Sequence, residues 1–470
     1  MTSASPEEII ENELNGSNVE EQGYGLSDDF ICHIFDLFDQ GQGDKVSEAV
    51  SQLDPAGVAE LIEKTHHEQR EELIALLGRR INPEVFTHID HDLSTKILSE
   101  MKAKQVAFIV NNLESDDALD LIRDLDEDFQ QEILSSLSRK IRLVVEEGLT
   151  FPEDSAGRLM QREMVAIPQF WTVGKAVDYL RAAALNLPPD FYDLFIVDPM
   201  HHFVGKLPTA KLLKTKRRVK IIELLNEDSS YSVPANMDQE EVTFLFRRYA
   251  LVSAPVVDEN NRLIGVITID DIVEVIDEEA EEDMLKMGGV ANDDIYQAAL
   301  STAQSRFSWL AVNLLTAIAA SLVIGLFQGT IQEIVALAIL MPIVASMGGN
   351  AGTQALTVAV RALATKELSS ANASRVVRKE IIVGVINGLL FAVITGLITW
   401  LWFHNIMLGA VIAIAMVFNL IIAGLSGIAI PLLLSKFNLD PALSSAVFLT
   451  TITDMIGFFA FLGLAAWLLV

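Results

Sequence analysis

One aspartate stands alone in an apolar stretch near the end of the chain. Asp454, in Thr450-Thr451-Ile452-Thr453-Asp454, lies about twelve residues into a run from 442 to 470 with no other ionisable group. A carboxylate at membrane depth costs about 2.5–3.5 kcal/mol on insertion scales, so it is a functional candidate by default. No Lys or Arg at that depth can pair with it, which makes a mobile cation its natural partner. The plainer alternative is a protonated Asp bonded to a neighbouring helix. A second group is Met341-Pro342-Ile343-Val344-Ala345-Ser346-Met347-Gly348-Gly349-Asn350-Ala351-Gly352-Thr353-Gln354. Its proline and glycines are expected to break or bend a helix, and free carbonyls are tolerated in a membrane only where they line a cavity or meet protein. Asn350, Thr353 and Gln354 add neutral oxygens, so beside Asp454 the segment reads as pore lining; small-residue helix packing is the alternative. A third group is the dense acidic run from Asp270 to Asp283. Such runs are usually solvated helix faces, but closely packed carboxylates also share divalent cations, and oxygen ligands suit Mg²⁺.

The elements that must position these groups follow from composition. The 470 residues carry 34 Lys+Arg against 64 Asp+Glu, a net charge of −30, yet 51% are hydrophobic and mean hydropathy is +0.35. Residues 307–470 hold six basic (Arg361, Lys366, Arg375, Arg378, Lys379, Lys436) and five acidic side chains (Glu333, Glu367, Glu380, Asp440, Asp454). Nearly all the acid is therefore in the first 306 residues. A field that negative repels phosphate backbones and argues against nucleic-acid binding. Cys32 is the single cysteine, which excludes a disulfide scaffold and Cys-based metal centres. Five apolar stretches, roughly 307–327, 331–358, 381–403, 407–434 and 442–470, are each long enough to cross a bilayer. Every basic residue around them falls on the side that holds the N-terminus, and the opening residues lack a basic and an apolar signal region. The expected topology is a multi-pass protein of the cell (inner) membrane, with cytoplasmic N-terminal domains and an extracytoplasmic C-terminus.

The cytoplasmic half divides further. Residues 1–27 read as a disordered acidic tail. Residues 28–150 read as a helical domain of stacked hairpins, with recurring loop–acid–helix units at Leu53-Asp54-Pro55, Ile81-Asn82-Pro83-Glu84 and Glu114-Ser115-Asp116. The pairs His66-His67 and His88/His91 read as surface or packing histidines rather than metal ligands. In residues 151–275 an internal repeat aligns Val197-Asp198-Pro199 through Leu207 with Val257-Asp258-Glu259 through Ile267, each a strand, tight turn and strand followed by a helix. This resembles a tandem pair of CBS modules. Such pairs often bind adenosine nucleotides through a Ser/Thr-x-x-Asp; Thr268-Ile269-Asp270-Asp271 fits that pattern and Pro208-Thr209-Ala210-Lys211 does not. Thr268 and Asp271 are the candidate ATP contacts. Residues 276–305 are expected to form an acidic connecting helix, with about 275–304 continuous, and 306–470 a five-span α-helical membrane domain.

From about residue 28 onward the sequence resembles the MgtE family of magnesium channels and transporters. The signatures are Pro152-Glu153-Asp154-Ser155-Ala156-Gly157-Arg158-Leu159-Met160, the CBS pair, Gly348-Gly349-Asn350-Ala351-Gly352-Thr353-Gln354, and Asp440-Pro441-Ala442-Leu443 followed by Thr451-Ile452-Thr453-Asp454. The resemblance implies a homodimer in the lipid bilayer whose halves surround one pore. Mg²⁺ is then substrate and regulator, ATP a further regulatory ligand, and the chain is not an enzyme. It places the selectivity aspartate on Asp454 and a membrane acid on Glu333. It puts the Mg²⁺-sensing acids on Asp116 and Asp120, on Glu240, Asp271 and Glu274, and on Glu279, Glu282 and Asp283 of a "plug" helix. Ala250 stands where the resemblance implies an acid. The other readings left open are a CBS-regulated transporter of another divalent cation such as Co²⁺ and a non-transporting membrane sensor.

Overall fold

The computed structural model describes residues 25–189, 191–225, 231–290, 299–369, 371–437, 439–442 and 445–470. The acidic tail thus falls almost wholly outside the described residues. The chain forms two compact units, residues 1–275 and 276–470.

The first unit opens with short helices between Asp28 and Gly148. Their starts follow the acid spacing. The Asp54 side chain accepts from Gly57 N at 2.8 Å with Pro55 in the first turn, and Asp90 accepts from Leu93 N at 3.0 Å. Acceptors there satisfy otherwise orphaned N–H groups. Asp90 caps α1 (His91–Glu100), and Glu114 precedes α2 (Ser115–Arg123), whose Ala118, Leu119, Leu121 and Ile122 are buried while Asp116, Asp117 and Asp120 are partly buried.

Two modules of the same design follow. Strand β1 (Ala166–Pro168) leads through α3 (Val173–Ala182) to β2 (Asp193–Val197), β3 (Phe203–Pro208) and α4 (Thr209–Lys214). Strand β4 (Val233–Pro234) leads through α5 (Gln239–Tyr249) to β5 (Ser253–Val257), β6 (Leu263–Thr268) and α6 (Ile269–Gly288). In each sheet the first strand is parallel to the second and the second antiparallel to the third, and the antiparallel registers match at the offset of 60 seen in the sequence. The shared turn has a local cause. Asp198 Oδ1 accepts from Met200 N and His202 N, Asp258 Oδ1 accepts from Asn260 N and Arg262 N, all at 2.8 Å. His201 and Asn261 take the left-handed conformation (φ 69° and 60°). The modules pair face to face: Phe203 N bonds Asn261 O, Leu263 N bonds His201 O, and Phe195, Val197 and Phe203 pack on Val257, Leu263 and Val266.

The second unit holds the end of α6 and the apolar helices α7 (Ala299–Leu326), α8 (Gln328–Glu333), α9 (Ala336–Ala364), α10 (Ala373–Phe403), α11 (Ile406–Lys436) and α12 (Ser445–Leu468). Five of these are long and apolar enough to cross a membrane. Leu337, Leu340 and Val344 of α9, Leu408, Val411, Ile412 and Ala415 of α11, and Phe461, Leu462 and Ala465 of α12 form its core. Helices α10 and α11 approach through small residues: a Cβ on Gly384 would lie 2.8 Å from Leu420 O, and one on Gly409 2.7 Å from Gly396 O.

Two expectations change. The helix predicted over 275–304 ends at Gly288, because Gly289 adopts φ +74° directly against Trp309, where a Cβ would stand 1.7 Å from Nε1. The second span is one continuous helix, α9, through Pro342 and the glycines. Proline removes a single N–H, near the start of the helix, and Gly348 and Gly352 serve close packing against Asn419 and Leu449.

Candidate ion pathway and acidic sites

Helix α9 has two faces. Leu340, Val344, Gly348, Gly352, Ala355 and Leu356 are buried, whereas Ser346, Asn350, Thr353, Gln354 and Thr357 are exposed on the single chain. Ser346, Asn350, Thr353 and Thr357 recur at helical spacing as one polar stripe. Along it Thr353 donates to Gly349 O and Thr357 to Thr353 O, both at 2.9 Å. These bonds leave lone pairs pointing outward in a segment of hydrocarbon length. Sequence reading names Asn350, Thr353 and Gln354; Ser346 and Thr357 complete the stripe and are found by extending it one turn each way. Helix α12 packs directly on α9, with Leu449 against Gly352 and Leu356, and carries a half-buried Asp454. Glu333 ends the short helix α8, exposed, before α9 begins.

In the first unit, α2 docks on residues 161–163: Ser115 Oγ donates to Glu163 Oε2 at 2.6 Å and accepts from Arg162 N at 2.7 Å. The docking gathers acids. Burial pushes Asp116 well above the ordinary carboxylate range, with the charges of Asp271 and Asp117 adding to it. Asp117 is pushed up to about 7 by burial, then by Asp271, Glu114 and Glu274. Asp271 is raised to about 6 by burial against the opposing hydrogen bonds from Thr268. Glu114 is raised by burial and by Glu163. Carboxylates that raise one another in this way gain from any cation brought among them. Asp116, Asp271 and Glu274 were named from sequence; Asp117, Glu114 and Glu163 were not, since only the docking of α2 brings them in.

Asp120 is differently employed. Its Oδ2 lies 3.5 Å from His91 Nδ1 and its Oδ1 3.1 Å from Arg123, while His91 Nε2 meets Asp124 at 2.7 Å. Hydrogen bonds to Asp120 and then Asp124 lift His91 to about 10, so it is an imidazolium at neutral pH. Two protein cations thus already neutralise Asp120. Glu240 sits exposed in the first turn of α5, its N–H bonded to Asp238. Ala250 closes that helix in the left-handed region (φ 49°, ψ 50°).

On α6, Glu282 pairs with Lys286, whose Nζ is also 2.7 Å from Asp440 in the α11–α12 connection. Burial and then the charges of Asp440 and Glu279 raise Asp283 to about 6. Met287 packs with Leu356, Val360, Ile430, Ala442 and Leu449. The acidic end of α6 is therefore anchored by one apolar contact and one tethered ammonium. At the other end of α6, Thr268 N and Oγ1 both donate to Asp271 Oδ2, at 3.1 and 2.8 Å. Among the histidines read as surface groups, His67 has ligand atoms within 4.8 Å of Glu71 and Glu100; all three are exposed, and Glu100 arrives only through the fold.

Known proteins resemble this chain over most of its length. A family profile described as "divalent cation transporter" (MgtE) matches residues 341–464, the "MgtE intracellular N domain" matches 53–154, and a CBS domain matches 225–278. The magnesium transporter MgtE of Thermus thermophilus is 31% identical over 451 residues, covering 94% of this chain and 99% of the relative. That of Bacillus subtilis is 29% identical over 439 residues, covering 93% and 97%. The solved cytosolic domain of the Mg²⁺ channel MgtE in complex with ATP is 27% identical with a TM-score of 0.48, covering 52% of this chain and 99% of that one. The chain is a multi-pass membrane protein with a cytosolic N-terminal soluble part. It belongs to the MgtE family, whose members are magnesium transporters and not enzymes.

Proposed function

We propose that the chain imports Mg²⁺ through a pore on the axis of a homodimer in the cell membrane, with its C-terminus outside and its acidic surfaces closing the pore when cytosolic Mg²⁺ is high. The observation that carries this reading is the exposed polar stripe of α9 beside the helix that bears Asp454. Hydroxyls and amides facing lipid are costly, so the stripe belongs against water or a second subunit. Two copies of Asp454 across an axis would trap a divalent ion electrostatically. Mg²⁺ dehydrates reluctantly, so neutral oxygens from Asn350 and Thr353 suit an ion that keeps its waters, whereas Gln354 lines a cavity with Glu380 and Asn387 of α10. An exposed Glu333 adds charge at the extracytoplasmic end. An inside-negative potential favours entry by about 2.3 kcal/mol per charge per 100 mV, twice that for a divalent ion.

Regulation is the second use of acid. Without Mg²⁺ the carboxylates of Glu114, Asp116, Asp117, Asp271 and Glu274 repel. Cations that bridge them favour the compact state, and differential affinity for that state sets the extent of closure. Glu240, Glu279, Glu282 and Asp283 extend the same logic over the second module and the plug, whereas Asp120, held by His91 and Arg123, contributes least. ATP as a regulatory ligand rests on Thr268 and Asp271: both Thr268 bonds reach one Asp271 oxygen, leaving the other for a ribose hydroxyl or a cation.

The test is flux into proteoliposomes, with Mg²⁺, Ca²⁺ and Co²⁺ compared. Mg²⁺ is expected to be preferred, and Asp454→Ala to lower its flux at least a hundredfold. Undiminished Mg²⁺ flux in that variant overturns the pore assignment, and preference for Co²⁺ overturns the substrate.

A further inference from the structure

A side chain outside the proposed ion path touches both helices that form it. Asn419 lies in the middle of α11, the helix between the α10 seam and the pore helices, and is 0% exposed. Its Nδ2 donates to Val344 O on α9 at 2.6 Å. Its Oδ1 is buried with no hydrogen-bond partner among the described residues. Two glycines make room for the amide. A Cβ on Gly348 would stand 2.3 Å from Nδ2, and one on Gly457 of α12 would stand 3.0 Å from Oδ1. Val344 precedes Ser346, the first oxygen of the polar stripe, by two residues, and Gly457 follows Asp454 by three.

A polar amide with an unpaired oxygen in the dry interior of a membrane bundle lowers stability, and a leucine of similar size would fill the space without that cost. What the amide supplies instead is geometry. A hydrogen bond in a low dielectric is strong and directional, so the Val344 bond fixes α11 against α9 in rotation and rise. The flat amide, seated on Gly457, fixes α12 against the same reference point. We propose that Asn419 is a positioning residue for ion selectivity: it sets the separation and register of the α9 stripe relative to Asp454, and with them the width at which a hydrated divalent ion is held. The inference rests on the pore reading above.

Selectivity is the readout to use, because the ratio of two ion fluxes does not depend on how much of a variant is folded or inserted. In proteoliposomes, Asn419→Leu is expected to give monodisperse protein that still conducts but whose Mg²⁺-to-Ca²⁺ flux ratio falls at least fivefold. Gly348→Ala, which must push the amide aside, is expected to lower the ratio by a similar factor through an untouched Asn419. The double variant Gly348→Ala/Asn419→Ala removes the clash with the amide, so it is expected to recover yield but not the ratio. A wild-type ratio in Asn419→Leu or in the double variant overturns the proposal. Asp454→Ala run in parallel separates the failures: if it conducts like wild type, the pore reading falls, and if it is dead while Asn419→Leu keeps the wild-type ratio, only the role of Asn419 falls.

Discussion

Asp117 holds its proton toward neutral pH because it is buried among Asp271, Glu114 and Glu274. A carboxylate raised in this way is bound by more protons in the folded than in the unfolded chain. In divalent-free protein, stability must therefore fall as pH rises from the ordinary value of 3.8 through about 7. Thermal unfolding of the full chain in chelator should show a midpoint several degrees lower at pH 8 than at pH 6, and millimolar Mg²⁺ should remove most of the difference. Asp117→Asn should raise the chelated midpoint at pH 8 and shrink the gain on adding Mg²⁺. A midpoint that climbs with pH, or an unaltered Mg²⁺ response in the variant, contradicts the shared-site reading. Sequence reading reached Asp116 and Asp271 but left out Asp117, Glu114 and Glu163. It also put Asp120 on equal terms with Asp116. The difference is the His91 imidazolium, which comes from a separate helix. One-dimensional spacing reports which carboxylates share a helix face; it does not report which cation from elsewhere has already reached them.

At the scale of elements, the ends of helices were the least legible. Asp54 was readable as a start, since an acid before an apolar-periodic stretch has a local cause. The stop of α6 is marked in the sequence only by Lys286 and Gly288-Gly289, which the longer helix reading passes over; what ends the helix is Gly289 turning left-handed against Trp309, a residue of the next helix. Helix α5 ends differently, in a left-handed Ala250 where the Cβ costs roughly 1–2 kcal/mol that a glycine avoids. Allowing for the greater unfolded-state freedom of glycine, Ala250→Gly should stabilise by about 0.5–1 kcal/mol, or roughly 1–3 °C in thermal midpoint. A lowered midpoint would mean that the methyl packs usefully. The second span shows the same limit from the other side. Proline and glycines announce a departure from a plain helix, but small residues serve both broken backbones and tight crossings, and only the neighbours Asn419 and Leu449 decide between them.

For the whole molecule, the C-terminal end of α6 is tied to the α11–α12 connection through Lys286 and Asp440. Lys286 stands among Glu282, Asp283 and Asp440, an ammonium where an all-carboxylate cluster would need a divalent ion. Removing it in Lys286→Met leaves three acids to repel until Mg²⁺ replaces the lost charge. Channel recordings or flux from liposomes with varied internal Mg²⁺ should then show a half-inhibiting concentration raised several-fold. Neutralising Glu279, Glu282 and Asp283 together should leave transport running in millimolar internal Mg²⁺. Inhibition curves that superimpose on wild type in both variants would remove this end of α6 from the gate.

The sequence pattern alone determined the division into an acidic and an apolar half, the number of spans and the expected side of the N-terminal part. These depend on transfer free energies and on the placement of lysines and arginines, both local properties of the chain. The paired modules were equally legible, because their turns are built by residues two to four apart. Tertiary structure alone decided that Glu163 meets Ser115, that His91 neutralises Asp120, that the glycines of α9 serve packing, and that one buried amide spans α9 and α12. Each depends on groups far apart in sequence, whose meeting is set by how helices pack rather than by the pattern within any one of them.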